Sequence, residues 1–154
     1  MNSDVTIRVR RVRAADIPQI IALDARITKL AKADYWNDIF GRYGKRRLRE
    51  RFFLVAEGRV GRGLHVVGFV VGEIRAWEFG STPCGWIFAL SVEPKMRLRS
   101  VGTALFEAIT AEFKKAGINR MRTMVANDAR LPLLFFRSHG MRAGPYLQLE
   151  KDLD

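Results

Sequence analysis

The sequence predicts an α+β fold: a mixed, mostly antiparallel central sheet with helices on both faces. Three patterns carry that reading. Two apolar runs in the first half are joined by a glycine-containing turn, which marks an antiparallel hairpin. A nearly continuous apolar run, Trp86 to Val92, is followed by an amphipathic segment and another short apolar run, which marks a parallel strand–helix–strand crossover. Segments of helical period lie between the first strand and the hairpin. The 154 residues suit one domain, residues 1–154, and no linker, repeat or low-complexity tract divides them.

The elements follow in order. Val5, Ile7 and Val9 alternate with polar residues and predict a first strand. Asp16 offers an N-cap, with Pro18 in the first turn, and Ile17, Ile20, Ile21, Leu23 and Ile27 recur at helical spacing. A second helical segment runs from Asp34 through Leu48, interrupted by Gly41 and Gly44. Phe52 to Ala56 form a strand, Gly58 to Gly63 a glycine-rich turn, and His65 to Trp77 the returning strand. Ser81 to Gly85 make another turn before the Trp86–Val92 strand. Ser100 can cap the next helix, whose stripe is Val101, Ala104, Leu105, Ala108, Ile109 and Phe113, with Gly117 as its stop. Met121 to Ala126 read as a strand. A short helix begins near Leu131, since Pro132 lacks a donor, and ends at Gly140; Tyr146 to Lys151 make the last strand. The order is β-α-α-β-β-β-α-β-α-β.

Composition narrows the function classes. Hydrophobic residues at 48% and charged residues at 28% describe a globular chain, and no apolar run approaches the ~20 residues of a membrane span. Met1 to Arg10 contain no signal-peptide core, and the single cysteine, Cys84, allows no internal disulfide, so a cytoplasmic location and no membrane partner are expected. The net charge of +11 implies attraction to polyanions without choosing among them. The densest basic cluster, Arg42 to Arg51, reads as a solvated helix face or as a surface for an acidic partner. No helix-turn-helix spacing, zinc pattern or aromatic RNA-binding signature is present, so no specific nucleic-acid partner is expected. His65 and His139 stand too far apart in sequence to suggest a metal pair, and no metal is expected.

The most informative stretch is Ser91 to Leu105, S-V-E-P-K-M-R-L-R-S-V-G-T-A-L. A buried strand stops at Pro94, a short basic loop follows, and the loop runs into a helix. The first N–H groups of a helix have no partner within it and sit at the positive end of its dipole, so the place suits a phosphate. Arg97 and Arg99 add fixed charge, and the stretch reads as a pyrophosphate site; the competing reading is an ordinary basic turn with a helix cap.

This stretch resembles the acyl-CoA loop of the GNAT N-acetyltransferase superfamily, in which Gln or Arg, two residues, Gly, one residue and Gly or Ala follow one another. Arg97, Ser100 and Gly102 take the matching places, between V-E-P (Val92 to Pro94) and Ala104-Leu105. A second stretch resembles the family's other signature through Asn127, Ala129, Phe135, Phe136, Gly140 and Met141, and Gly68-Phe69 is also typical. Two positions depart from the pattern. Ser100 stands where the family usually has Gly, which implies a right-handed conformation there, since Ser does not readily adopt positive φ. Phe136 stands where many members carry a Tyr that protonates the departing thiolate.

The resemblance implies the acyl-CoA N-acyltransferase fold and acetyl-CoA as co-substrate, attacked directly by a primary amine of a small-molecule or peptide acceptor. It implies that Leu90, Ser91 and Val92 hold the pantetheine arm, and that Arg97, Leu98, Arg99, Ser100, Val101, Gly102 and Thr103 hold the diphosphate. Asn127 and Phe136 complete the cofactor-binding set, with core packing the competing role for Phe136. The pantetheine would lie between Trp86–Val92 and Met121–Ala126 as an added strand. The family often has a Glu base on the first of these strands, but Cys84 to Ser91 contain no carboxylate. Glu73 on the neighbouring strand is the nearest candidate, against a surface or salt-bridged role. Tyr35, Trp77 and Trp86 are candidates for an acceptor pocket or for the core. The oligomeric state is open between monomer and homodimer. A non-catalytic acyl-CoA-binding or sensing module, and a basic nucleic-acid-binding protein, are the alternative classes; turnover with amines separates the first, salt-sensitive co-purifying nucleic acid the second.

Overall fold

The computed structural model describes residues 6–154, and the backbone alone at residues 97–99. Val5 of the first alternating run lies outside the described residues. The chain divides into two compact units, 1–123 and 124–154.

In the first unit a five-stranded sheet has its strands in chain order: β1 (Arg8–Arg11), β2 (Arg51–Val60), β3 (Gly63–Arg75), β4 (Cys84–Val92) and β5 (Met121–Thr123). The first three junctions are antiparallel, and β4–β5 is parallel. The fold class is therefore as the sequence predicts. The expected loose turn at 58–63 is replaced by longer strands, because Gly58, Arg59 and Val60 stay in the ladder opposite His65, Leu64 and Gly63. Only Gly61 and Arg62 turn, with Gly61 at φ +64. Cys84 is the buried first residue of β4 rather than part of a turn.

Two helices, α1 (Ile17–Thr28) and α2 (Ala33–Ile39), precede the hairpin. The helix expected through Leu48 ends at Ile39 and widens into a π turn, Phe40–Gly44. Its glycines offer little resistance to that change, and a Cβ at Gly44 would lie 2.6 Å from Phe40. Ile17, Ile20, Leu23, Trp36 and Ile39 pack with Phe53, Val55, Phe69 and Val71 on one sheet face. The buried Asp24 ties the two helices, accepting from Trp36 Nε1 at 3.0 Å and from Lys32 Nζ at 2.9 Å.

The other face carries α3 (Val101–Lys115), which closes against glycines. A Cβ at Gly68 would lie 2.9 Å from Leu105, one at Gly72 2.8 Å from Ile109, and one at Gly85 2.6 Å from Phe113. The side-chain-free track lets Val101, Leu105, Ile109 and Phe113 bury fully against the backbone. Gly117, at φ +83, ends α3 as expected: its N–H reaches Lys114 O and that of Ile118 reaches Phe113 O, a Schellman pair.

Asp16 does not cap α1 with its side chain, as the sequence suggested. It closes the short 3₁₀ turn Ala14–Asp16 and points backwards, accepting from the Arg13 N–H at 2.7 Å. Arg10 engages both its oxygens, at 2.7 and 2.8 Å, and also pairs with Glu57 on β2. This ties β1, β2 and the entry to α1 with one partly buried guanidinium.

In the second unit, α4 (Arg130–Ser138) holds Pro132 in its first turn, where no donor is needed, and stops at Gly140 with the same Schellman pair, Gly140 N–H to Arg137 O and Met141 N–H to Phe136 O. The strand expected at Tyr146–Lys151 does not form: the described backbone of 142–154 pairs with no strand, and Leu147 and Leu149 are each 88% exposed. Alternation supplies a face but not a partner for the backbone. Among the described residues, no helix is long and apolar enough to cross a membrane.

Burial alone would raise the Asp16 carboxyl, but hydrogen bonds from Arg10 and the Arg13 N–H, with their positive charges, hold it below the ordinary carboxylate range. Its contribution to stability is complete above the unfolded value near ~4 and is lost as pH falls through the lower folded value. Asp16→Asn is expected to cost about 3 kcal/mol at pH 7, because it leaves buried positive charge poorly matched. The difference from the parent should shrink below about pH 3 in denaturant titrations at the two pH values.

Candidate active site

The opening in the sheet starts from one unpaired residue. On β3, Val71 faces Ala89 and Gly72 faces Ile87, so Phe88 is the extra residue of a β-bulge. Before the bulge, β4 pairs with β5 only through Gly85–Met121, Trp86–Arg122 and Ile87–Thr123. The Thr123 hydroxyl then donates to Ile87 O at 2.8 Å and closes the ladder. The strand expected to reach Ala126 stops here, and among the described residues no strand pairs with β4 on that edge over the five residues Phe88 to Val92.

The bulge also reverses which amides face the open edge. Gly85 N–H bonds to Arg120 O on the β5 side at 2.9 Å, so odd-numbered residues face β5 before the bulge. Beyond it, Glu93 N–H bonds to Val67 O on the β3 side at 2.8 Å. Alternation along an extended strand then turns the N–H groups of Leu90 and Val92 to the open edge and that of Ser91 to β3.

At the end of this edge the chain enters a 3₁₀ turn, Pro94–Arg99, and then α3. Met96 is buried and Met96 N–H bonds to Glu93 O at 2.8 Å. Glu93 is tied to α1 by an ion pair with Arg26, an anchor the sequence did not reveal. The side chains of Arg97, Leu98 and Arg99 lie outside the described residues, so the expected local charge is not part of the described site. Ser100 corrects two expectations. It adopts φ 60, ψ 22, the left-handed conformation it was expected to avoid, and its side chain makes no capping bond. Its carbonyl accepts the first helical bond, from Ala104 N–H at 3.0 Å. The tight exit from the 3₁₀ turn demands the left-handed residue that Gly usually supplies. Val101, Gly102 and Thr103 form the first turn of α3, continuous with β4 through this loop.

Glu73 lies on the opposite face, the one covered by α1 and α2, in register with Arg51 on β2 and Trp86 on β4. It is not a free surface carboxylate. Its side chain is 25% exposed and lies 3.9 Å from Arg51 Nε. Tyr43, 7% exposed, is held edge-on against Phe88 with ring centroids 5.0 Å apart. Arg51 lies 5.0 Å over the Tyr43 ring and donates to Arg42 O at 2.9 Å. The Tyr43 hydroxyl is raised above its ordinary value, first by burial and then by the nearby Glu73 charge, with Arg51 and Arg42 partly offsetting. Glu73 also lines a cavity of about 360 Å³ with Arg47, Glu50, Ile74, Arg75, Ala76 and Glu78. Arg47 pairs with Glu50 and Arg75 with Glu78, so those charges cancel locally. Tyr43, Arg51 and Phe88 were missed because nothing in their spacing joins them; the long-range register does.

Of the aromatic candidates, Tyr35 packs edge-on against Trp36, Trp86 lies under Arg75, and Trp77 is exposed. Asn127 and Phe136 belong to the second unit, Asn127 exposed in a turn and Phe136 buried, edge-on to Phe135. His139 stacks on Phe135 at 4.5 Å. Among the described residues, no three His, Cys, Asp or Glu side chains gather in a group able to hold a metal.

Residues 18–141 match the model of the acetyltransferase (GNAT) family, and the chain belongs to that family. Solved structures share the fold. An aminoglycoside N-acetyltransferase AAC(6')-Iy in complex with CoA superposes with a TM-score of 0.83 at 13% identity, over 99% of this chain and 98% of that one. AAC(6')-Ih from Acinetobacter baumannii, an aminoglycoside 6'-N-acetyltransferase, gives 0.78 at 12%, over 97% and 100%. Glucosamine-6-phosphate N-acetyltransferase from Arabidopsis thaliana gives 0.73 at 16%, over 97% and 99%. No curated protein sequence matches the chain.

The left-handed backbone at Ser100 sets a stability order for variants there. Ser100→Gly should be more stable than Ser100→Ala by about 1 kcal/mol, because neither has a hydroxyl and only Ala strains the αL conformation. Thermal denaturation of the two variants, side by side, measures it.

Proposed function

We propose that the protein transfers an acetyl group from acetyl-CoA to a primary amine. The observation that supports this best is the open β4 edge, with the Leu90 and Val92 N–H groups turned outward and leading directly into the loop and first turn of α3. An amide-bearing chain such as pantetheine fits an edge of this kind, since it supplies the hydrogen-bond partners a missing strand would have given. Bound there, acetyl-CoA supplies an acetyl thioester activated for attack.

In this reading Leu90, Ser91 and Val92 hold the pantetheine arm, and an outward N–H stabilises the oxyanion that develops during attack. Arg97, Leu98, Arg99, Ser100, Val101, Gly102 and Thr103 hold the diphosphate through the helix N-terminus and local positive charge. Asn127 and Phe136 complete the proposed cofactor-binding set. Glu73 takes the proton of the acceptor ammonium, a role supported by its place in a cavity on the face across the sheet from α3. The acceptors in the names of similar structures are aminoglycosides and an amino-sugar phosphate. For this chain the class proposed is a primary amine, on a small molecule or a peptide.

CoA release from acetyl-CoA, measured across amino acids, polyamines, aminoglycosides and peptide N-termini, tests the assignment. Turnover with at least one amine is expected; CoA binding without turnover would instead make the protein a binding or sensing module. Gly102→Glu should abolish CoA binding in calorimetry, because it places bulk and negative charge in the first turn of α3; unchanged affinity would remove the diphosphate site. Phe136→Tyr should keep CoA binding and raise turnover modestly, by less than the ~10²-fold of a well-placed acid.

A further inference from the structure

Glu93 stands between the unpaired edge of β4 and the loop, after Val92 and before Pro94. Several constraints meet on it. Its N–H bonds to Val67 O and its carbonyl accepts from Met96 N–H to begin the 3₁₀ turn, both at 2.8 Å. Pro94 restricts it to an extended backbone, here φ -49 and ψ 125. Its carboxylate pairs with Arg26, in the last turn of α1.

A negative charge is out of place here if the loop takes a diphosphate, since like charges repel and a neutral Gln would have the same size. The Glu93 side chain is only 16% exposed, against 52% for Arg26, so a guanidinium rather than water compensates it. Arg26 works from a firm base. Ile17, Ile20 and Leu23 bury α1 in the core, and Asp24 accepts from Trp36 Nε1 at 3.0 Å. The C-terminal turn of a helix also favours a cation.

We propose that Arg26 is a positioning residue for CoA: by holding and neutralising Glu93 it fixes the start of the diphosphate loop to α1 and removes a charge that would oppose the phosphates. This role rests on the acetyl-CoA reading above and involves no covalent step. Arg26 acts through Glu93, which itself joins β3, the loop and α1 at one residue.

The two partners are unequal, and that inequality supplies the test. Removing Arg26 strands a mostly buried anion beside the loop, whereas removing the charge of Glu93 strands only a half-exposed guanidinium that water can solvate. In calorimetry with CoA on the intact chain, Arg26→Gln should weaken binding about 10-fold and Glu93→Gln by much less. The double variant should bind like Glu93→Gln, so that a second substitution recovers most of the affinity that the first one lost. Arg26→Lys, which keeps the charge, should stay close to the parent. With the most reactive amine of the panel above, Arg26→Gln should raise the KM for acetyl-CoA while kcat holds, a split that general loss of structure would not give.

Unchanged CoA affinity in Arg26→Gln overturns the role of Arg26 and leaves the diphosphate site standing. A double variant no better than Arg26→Gln overturns it too, because the damage would then lie in the helix end and not in the stranded carboxylate. A parent chain that binds no CoA overturns the diphosphate site itself, and the role of Arg26 with it.

Discussion

Phe88 has no counterpart on β3, and three properties of the first unit depend on that surplus residue. It shifts the parity of β4, so that amides facing β5 give way to amides on an edge with no strand partner among the described residues. It puts two neighbouring residues, Phe88 and Ala89, toward the same helical layer, one against Tyr43 and the other against the α1–α2 core. It comes where pairing with β5 ends, at the Thr123 hydroxyl on Ile87 O. Bulges are a cheap way to bend and re-aim a strand, since one unpaired residue costs little beside the ladder that continues on its other side. Here the continuing ladder is long: Gly68 to Val71 of β3 still pair with Ala89 to Val92 of β4, so the open edge is backed by a paired strand.

The two faces of the sheet solve different packing problems. Toward α3 the sheet gives up side chains, and Gly68, Gly72 and Gly85 let the helix approach the backbone so closely that a methyl at any of them would overlap Leu105, Ile109 or Phe113. Such contacts lose conformational freedom at each glycine but gain dense apolar packing and a fixed helix position. The start of α3 therefore sits at a set place beside the end of β4. Toward α1 and α2 the sheet keeps large side chains, Phe53, Phe69 and Val71, and the layer is locked at its rims by polar ties: Arg10 with Asp16 and Glu57, and Asp24 with Trp36 and Lys32. A buried charge is tolerated only with close partners, and each of these has them.

Much of this was legible in the sequence because it is local. Helical period marked α1 and α3, Gly117 and Gly140 marked the stops of α3 and α4 as left-handed residues, and the order V-E-P, Arg97, Ser100, Gly102 marked the strand–loop–helix junction. What the sequence hid is set by long-range register or by backbone strain. The bulge at Phe88 is invisible in W-I-F-A-L-S-V, because only the pairing with Val71 and Gly72 shows that one residue is extra. Tyr43 and Phe88 lie far apart in the chain and meet only through the packing of the π turn on the sheet. Ser100 misled by chemistry: its hydroxyl suggested a cap and its Cβ a right-handed backbone, and the tight turn before it overrode both. The alternation from Tyr146 to Lys151 misled in the opposite way, since a good strand pattern does not form a strand without a pairing edge.

The unpaired stretch of β4 also carries a hazard. A strand with outward N–H and C=O groups and a half-exposed phenylalanine at its start is a template for any extended peptide, including a segment of another copy of the chain. The first unit limits that hazard by keeping the exposed run to five residues and ending it at a proline, which supplies no further donor. Whatever fills the edge in the cell therefore also shields it, so that a well-occupied protein should self-associate less readily than an empty one. Solubility and occupancy would then be two readings of the same few amides.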